Sequence, residues 1–135
     1  MKNTIFFIAF SFCLSAFAQQ PVKTIAALAA NDSKAHISFE TTTIDFGKIK
    51  KDQPVEKEFP FTNTGTAPLI ITSAHPSCSC TVPHSPTEAI QPGHKEFIKA
   101  GYNAHNLGTF VKTITVSSNA DENNVVLTIK GEVVE

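Results

Sequence analysis

From residue 36 to residue 135 the apolar side chains of this chain recur at every second position, in short runs separated by turn residues. A half-buried strand requires that period, because successive side chains leave a pleated backbone on opposite faces. Ile37 and Phe39 alternate with polar neighbours, and Ile44 and Phe46 do so in the opposite phase. The phase break at Thr41-Thr42-Thr43 predicts a first strand that bends or switches sheets. Gly47 is expected to close it, ahead of a charged connection that ends at Pro54. Val55, Phe59 and Phe61 then face one way while Glu56, Glu58 and Thr62 face the other, with Pro60 outward near an edge.

The turn chemistry between the runs is equally regular. Asn63-Thr64-Gly65-Thr66 separates that strand from Leu69-Ile70-Ile71-Thr72-Ser73. Gln91-Pro92-Gly93-His94 fits a type II turn, since proline presets one central dihedral and glycine accepts the positive one. Ile98, Ala100 and Tyr102 follow at period two, and residues 103–108 read as a loop. Residues 110–117 form a strand with Ile114 and Val116 inward, where Lys112 interrupts the phase and predicts a bulge near Val111. After the turn at residues 119–123, Val125, Leu127, Ile129 and Val133 point in.

About seven short strands and no helical period predict an all-β fold, a sandwich of antiparallel strands. Phe39, Phe46, Phe59, Phe61, Ile98, Ile114, Val116, Leu127 and Ile129 are expected in its core. An antibody-type domain is excluded. The chain has no Trp, and cysteines two residues apart cannot pin two sheets together across a core.

The first residues follow different rules. Lys2 gives a short basic start, an apolar run extends from Ile5 to Phe17, and Ala16-Phe17-Ala18 is an A-x-A cleavage site. Residues 1–18 are therefore expected to be a signal peptide cleaved after Ala18. Cys13 is expected to leave with it, because Phe12 is too large for a lipid-attachment signal. Residues 19–35 read as a flexible tether and residues 36–135 as one domain. No later segment is apolar for long enough to span a membrane. The expected location is periplasmic or secreted.

Charge narrows the partners. The net charge is −1 and the basic residues are scattered lysines, which does not make a nucleic-acid surface. No Ser/His/Asp arrangement, paired carboxylates or Gly-rich phosphate loop stands out, so no enzyme is expected. His36, His94 and His105 are expected to face solvent.

Chemistry concentrates in the stretch from Ala74 to His84, where Cys78 and Cys80 lie between His75 and His84. Three readings fit it. Side chains at i and i+2 of an extended strand share a face, so a modest bend allows a structural Cys78–Cys80 disulfide, and export favours oxidation. Alternatively, His75, Cys78, Cys80 and His84 supply the thiolate and imidazole ligands that suit zinc or copper. The third reading is thiol–disulfide exchange, although no Arg and no following helix lowers a thiol pKa.

The residues also resemble a family. Ser77-Cys78-Ser79-Cys80-Thr81-Val82-Pro83, Ile90-Gln91-Pro92-Gly93, the segment from Gly108 to Asn119 and the ending from Leu127 to Val133 are similar to the bacterial DUF1573 family. Ser79 stands where that family's pattern has Gly. The resemblance implies an immunoglobulin-like fold akin to ASH and major-sperm-protein domains, and a role in protein contacts. The expected function is binding of another extracytoplasmic protein or an envelope component, with an added partner strand at a sheet edge as one route.

Overall fold

The computed structural model describes residues 33–135. The expected signal peptide, its cleavage site and nearly all of the expected tether lie outside the described residues. Eight strands follow one another: β1 (Ile37–Phe39), β2 (Thr43–Lys50), β3 (Val55–Asn63), β4 (Ile71–Pro76), β5 (Thr81–His84), β6 (Lys95–Tyr102), β7 (Gly108–Ser118) and β8 (Asn124–Val134). They form two four-stranded sheets, ordered β1-β3-β6-β5 and β2-β8-β7-β4. This is an immunoglobulin-like two-sheet sandwich.

The expected switch at residues 41–43 is where β1 leaves the first sheet and β2 enters the second. The Thr41 hydroxyl donates to the Thr43 carbonyl at 2.9 Å and secures the crossing. No hairpin intervenes, so β2 arrives without reversing and pairs with β8 in parallel, Thr43 beside Thr128 and Ile49 beside Val133. The expected sandwich of antiparallel strands is present, with the β2–β8 pair as its parallel exception. Pairing direction leaves no mark on a period of two.

Gly47 does not end β2. It sits at φ +67° where the register slips between Asp45 and Lys48, and its N–H donates to Asp45 Oδ1 at 2.7 Å. That is a bulge, the local feature in which a glycine tolerates the left-handed backbone. Conversely, the bulge expected near Val111 is absent. β7 keeps one register from Gly108–Val133 to Ser117–Asn124. Lys112 stays in phase with Phe110 and Ile114 and is half-buried, a position that the methylenes of a long side chain suit.

The core fills the space between the sheets. Phe59, Phe61, Ile98, Ile114, Val116, Leu127 and Ile129 are buried as expected, whereas Phe39 and Phe46 pack only partly against them. Tyr102 of one sheet stacks on Phe110 of the other, with ring centroids 3.9 Å apart, and burial pushes the Tyr102 phenol pKa up. Ala35, placed at the end of the expected tether, is buried and bridges Ala120. Gly93 has φ +80° and the His94 N–H donates to the Gln91 carbonyl at 3.1 Å, which is the type II turn.

Candidate functional site

The crossover from β4 to β5 carries the chain from one sheet to the other and places Cys78 and Cys80 at the bend. Backbone bonds fix both ends of it. The Ser77 N–H donates to the Thr113 carbonyl at 2.8 Å, the Thr81 N–H to the Cys78 carbonyl at 3.3 Å, and the Asn103 N–H to the Cys80 carbonyl at 3.0 Å. The bend brings the two cysteine Cα atoms to 5.3 Å, and the sulfurs are joined as a disulfide. Cys78 Sγ lies 3.7 Å from the Thr81 hydroxyl, and Cys80 packs partly against the core.

The four-residue metal set is not assembled. His75 is exposed on β4, opposite Thr115, while His84 is exposed on β5 in the other sheet, opposite Lys99. Among the described residues no three of His, Cys, Asp and Glu gather as a metal-holding group. Spacing along the chain suggested four ligands in one loop, but the loop crosses between sheets and distributes them. Of the remaining histidines, His105 Nδ1 lies 2.8 Å from Asp52 and His36 Nδ1 lies 2.6 Å from the Thr64 hydroxyl. All three of His36, His94 and His105 are exposed.

The protein recovered after export is expected to have a mass two hydrogens below the dithiol form and to resist alkylation until reduced. Intact-mass spectrometry before and after reduction checks this. Stoichiometric copper or zinc that disappears in a Cys78→Ser, Cys80→Ser variant would reverse it.

Two prolines give the crossover a second property. In an antiparallel pair, alternate residues turn both backbone groups toward the neighbour and the rest turn them away. The Asn103–Cys80 bond puts Val82 and His84 in the inward set, so Thr81 and Pro83 face the free edge of β5. The Thr81 N–H is already bonded to Cys78, and Pro83 has none. On β4 the Ser77–Thr113 bond likewise turns Ala74 and Pro76 outward. Both edges beside the crossover are therefore poor templates for an added strand.

The outer face of β5, β6 and β3 has a different character. Phe97 lies opposite Pro60 of β3 and Lys99 lies opposite both Glu58 of β3 and His84 of β5. Phe97 is 41 % exposed. Beside it is a hollow of ≈ 390 Å³ walled by Pro86, His84, Lys99, Glu56 and Glu96. Lys99 reaches Glu56 at 3.8 Å. Neither Phe97 nor this hollow was among the features expected from the sequence. The signal was there: Phe97 falls in the solvent phase of a strand whose inward phase is Ile98, Ala100 and Tyr102.

Several solved structures share this fold. A protein of unknown function from Porphyromonas gingivalis W83 superposes with a TM-score of 0.66 at 15% identity, covering 74% of this chain and 47% of that one. This chain thus spans about half the length of that protein. The ASH/PapD-like domain of human CEP192 (PapD-like domain 7) superposes at 0.60 with 10% identity, covering 76% of this chain and 87% of that one. The YadV chaperone follows at 0.52 with 15% identity, covering 73% and 52%. No curated protein matches the sequence. The model of the family described as "Protein of unknown function (DUF1573)" matches residues 37–133, most of the folded unit, and the chain belongs to the DUF1573 family.

Proposed function

We propose that this chain is an exported, non-catalytic binding module that recognises another extracytoplasmic protein. The observation that carries this reading is Phe97. Phe59, Phe61, Phe110 and Tyr102 are buried, and Phe39 and Phe46 are half-buried, yet Phe97 stands 41 % exposed on a rigid sheet face. An aromatic ring held in the open is costly to keep in water and useful in an interface, where such residues carry a large share of binding energy.

Export is supported by the basic start, apolar run and A-x-A site of residues 1–18, and by a disulfide suited to an oxidising compartment. A copper or zinc carrier would need Cys78 and Cys80 as thiolates, and a redox enzyme would need a depressed thiol pKa. Here β5, not a helix N-terminus, follows the pair.

Affinity capture with the tagged, exported chain tests the reading. Phe97→Ala is expected to lower recovery of a specific partner about tenfold or more. Val126→Ala, 52% exposed on the other sheet, is expected to leave it unchanged. Equal recovery by both variants, or turnover of a substrate, would sink the proposal.

A further inference from the structure

The hollow beside Phe97 is the middle of a longer groove. At one end it shares Pro86 and Glu96 with a second hollow of ≈ 200 Å³ that reaches Glu88 and His94. At the other it shares Glu56 and Lys99 with a third, of ≈ 290 Å³, that reaches Lys57 and Glu58. The first and third lie on the outer face of β5, β6 and β3, and the second continues past the start of β6 along residues 86–94, with the exposed ring of Phe97 in the first.

Four carboxylates line the groove, those of Glu56, Glu58, Glu88 and Glu96, against the ammonium groups of Lys57 and Lys99. Lys99 is matched to Glu56 at 3.8 Å, and the Lys57 ammonium is drawn away, donating to the Asp45 carbonyl at 2.9 Å. Glu58, Glu88 and Glu96 have no ion pair among the described residues. The groove therefore presents an apolar ring with unneutralised carboxylates on both sides. A ligand complementary to it carries an apolar group at its middle and positive charge toward each end.

The blocked edges decide how such a ligand lies. Pro83 removes the outward N–H of β5 and the Thr81 N–H is spent on Cys78, so backbone pairing at this edge is disfavoured. Recognition falls to side chains on the sheet face.

We infer that the groove binds an extended, lysine- or arginine-bearing segment of the partner protein, with an aromatic or aliphatic side chain against Phe97 and basic side chains toward Glu58 on one side and Glu88 and Glu96 on the other. The inference rests on the binding-module reading and adds the site and the chemistry of the partner. Because the carboxylates are exposed, their attraction is screened by salt and governs selection more than strength.

The test uses the full chain and fluorescence anisotropy of three labelled probes. They are a nonapeptide with a central Phe flanked by lysines, the same peptide with glutamates for lysines, and a chitin tetrasaccharide. The basic peptide is expected to bind, more weakly as salt rises, and the acidic peptide and the sugar are expected not to. Phe97→Ala is expected to weaken the basic peptide by about tenfold or more. A Glu58→Gln, Glu88→Gln, Glu96→Gln variant is expected to remove most of the salt dependence.

Circular dichroism and thermal midpoints of both variants should match the parent, since all four side chains are on the surface. Equal binding of basic and acidic peptides, or of the sugar through Phe97, overturns the partner chemistry. Basic-peptide binding that the triple glutamine variant leaves unchanged overturns it too. Should Phe97→Ala also leave affinity capture of the natural partner intact, the binding reading of this face falls with it.

Discussion

Asn63→Ala is expected to destabilise the domain by about 2–4 kcal/mol, because it leaves the Gly65 N–H and the Ala67 carbonyl without their partner, and the Ile90 carbonyl with the Leu69 N–H alone, at roughly 1–3 kcal/mol for each orphaned group before relaxation. Asn63 is fully buried at the end of β3. Its amide nitrogen donates to the carbonyls of Ala67 and Ile90 at 2.8 and 2.9 Å, and its Oδ1 accepts the Gly65 N–H at 3.0 Å. The backbone of the same residue accepts from Gly93 and donates to His94. The side chain thus ties the turn after β3 to Ile90, and the backbone of the same residue holds the type II turn that follows.

The domain's whole stability is of order 5–15 kcal/mol, so the loss is a large fraction of it. It corresponds to a fall in thermal midpoint of about 10–30 °C for a domain near 100 residues. Asn63→Asp separates hydrogen bonding from shape. A carboxylate keeps the acceptor for Gly65 but faces two carbonyls without a proton to give, so at neutral pH it is expected to be no better than alanine. Urea or thermal unfolding of the three proteins measures both effects. A midpoint for Asn63→Ala within a few degrees of the parent would show that water replaces the amide without penalty.

Asn63 was readable from the sequence only as turn chemistry. Its neighbours Thr64, Gly65 and Thr66 mark a turn, but nothing local says that the side chain reaches Ile90. The same limit explains the other differences. Alternation identified β1, β3, β6, β7 and β8 and their inward residues, because a period of two depends on the local pleat alone. It could not give the parallel β2–β8 pairing, which depends on where the chain goes after Thr42.

Lys112 looked like a register fault because its charge counts as polar, although four methylenes of its side chain serve a half-buried position. Gly47 looked like a strand end because glycine ends and bulges strands for the same conformational reason. At the crossover, the proximity of Cys78 and Cys80 was visible from their spacing. The separation of His75 from His84 was not, because it depends on which sheet receives each strand.

Phe110→Ala is expected to cost about 3–5 kcal/mol, the usual range for removing a buried ring. Phe110 is 6% exposed; its ring lies parallel to Tyr102 at 3.9 Å and tilted against Phe46 at 6.4 Å. It joins the two sheets near the β2 bulge. The space beneath it is already tight. A Cβ on Gly131 would lie 2.9 Å from two atoms of the Phe110 ring and 2.9 Å from the Gly47 carbonyl. Gly131→Ala is accordingly expected to cost about 1–3 kcal/mol through overpacking.

In a Phe110→Ala background, that overpacking penalty should shrink, since only the Gly47 contact remains. A double-mutant cycle reads this coupling directly. Tyr102 supplies a second, independent readout. It is the single Tyr of a chain without Trp, so its phenolate absorbance reports one site. Burial holds its pKa above the ordinary 10.0 by disfavouring the charged form. Removing the Phe110 ring admits water to the phenol, so the midpoint should move down toward 10.0, in protein kept folded for the measurement. The sign also fixes the stability profile. Because the folded pKa is the higher one, the Tyr102 contribution is intact below pH 10.0 and declines as the pH rises through the folded value. A Phe110→Ala variant with unchanged stability and an unmoved phenol would mean that the two sheets are held together without this stack.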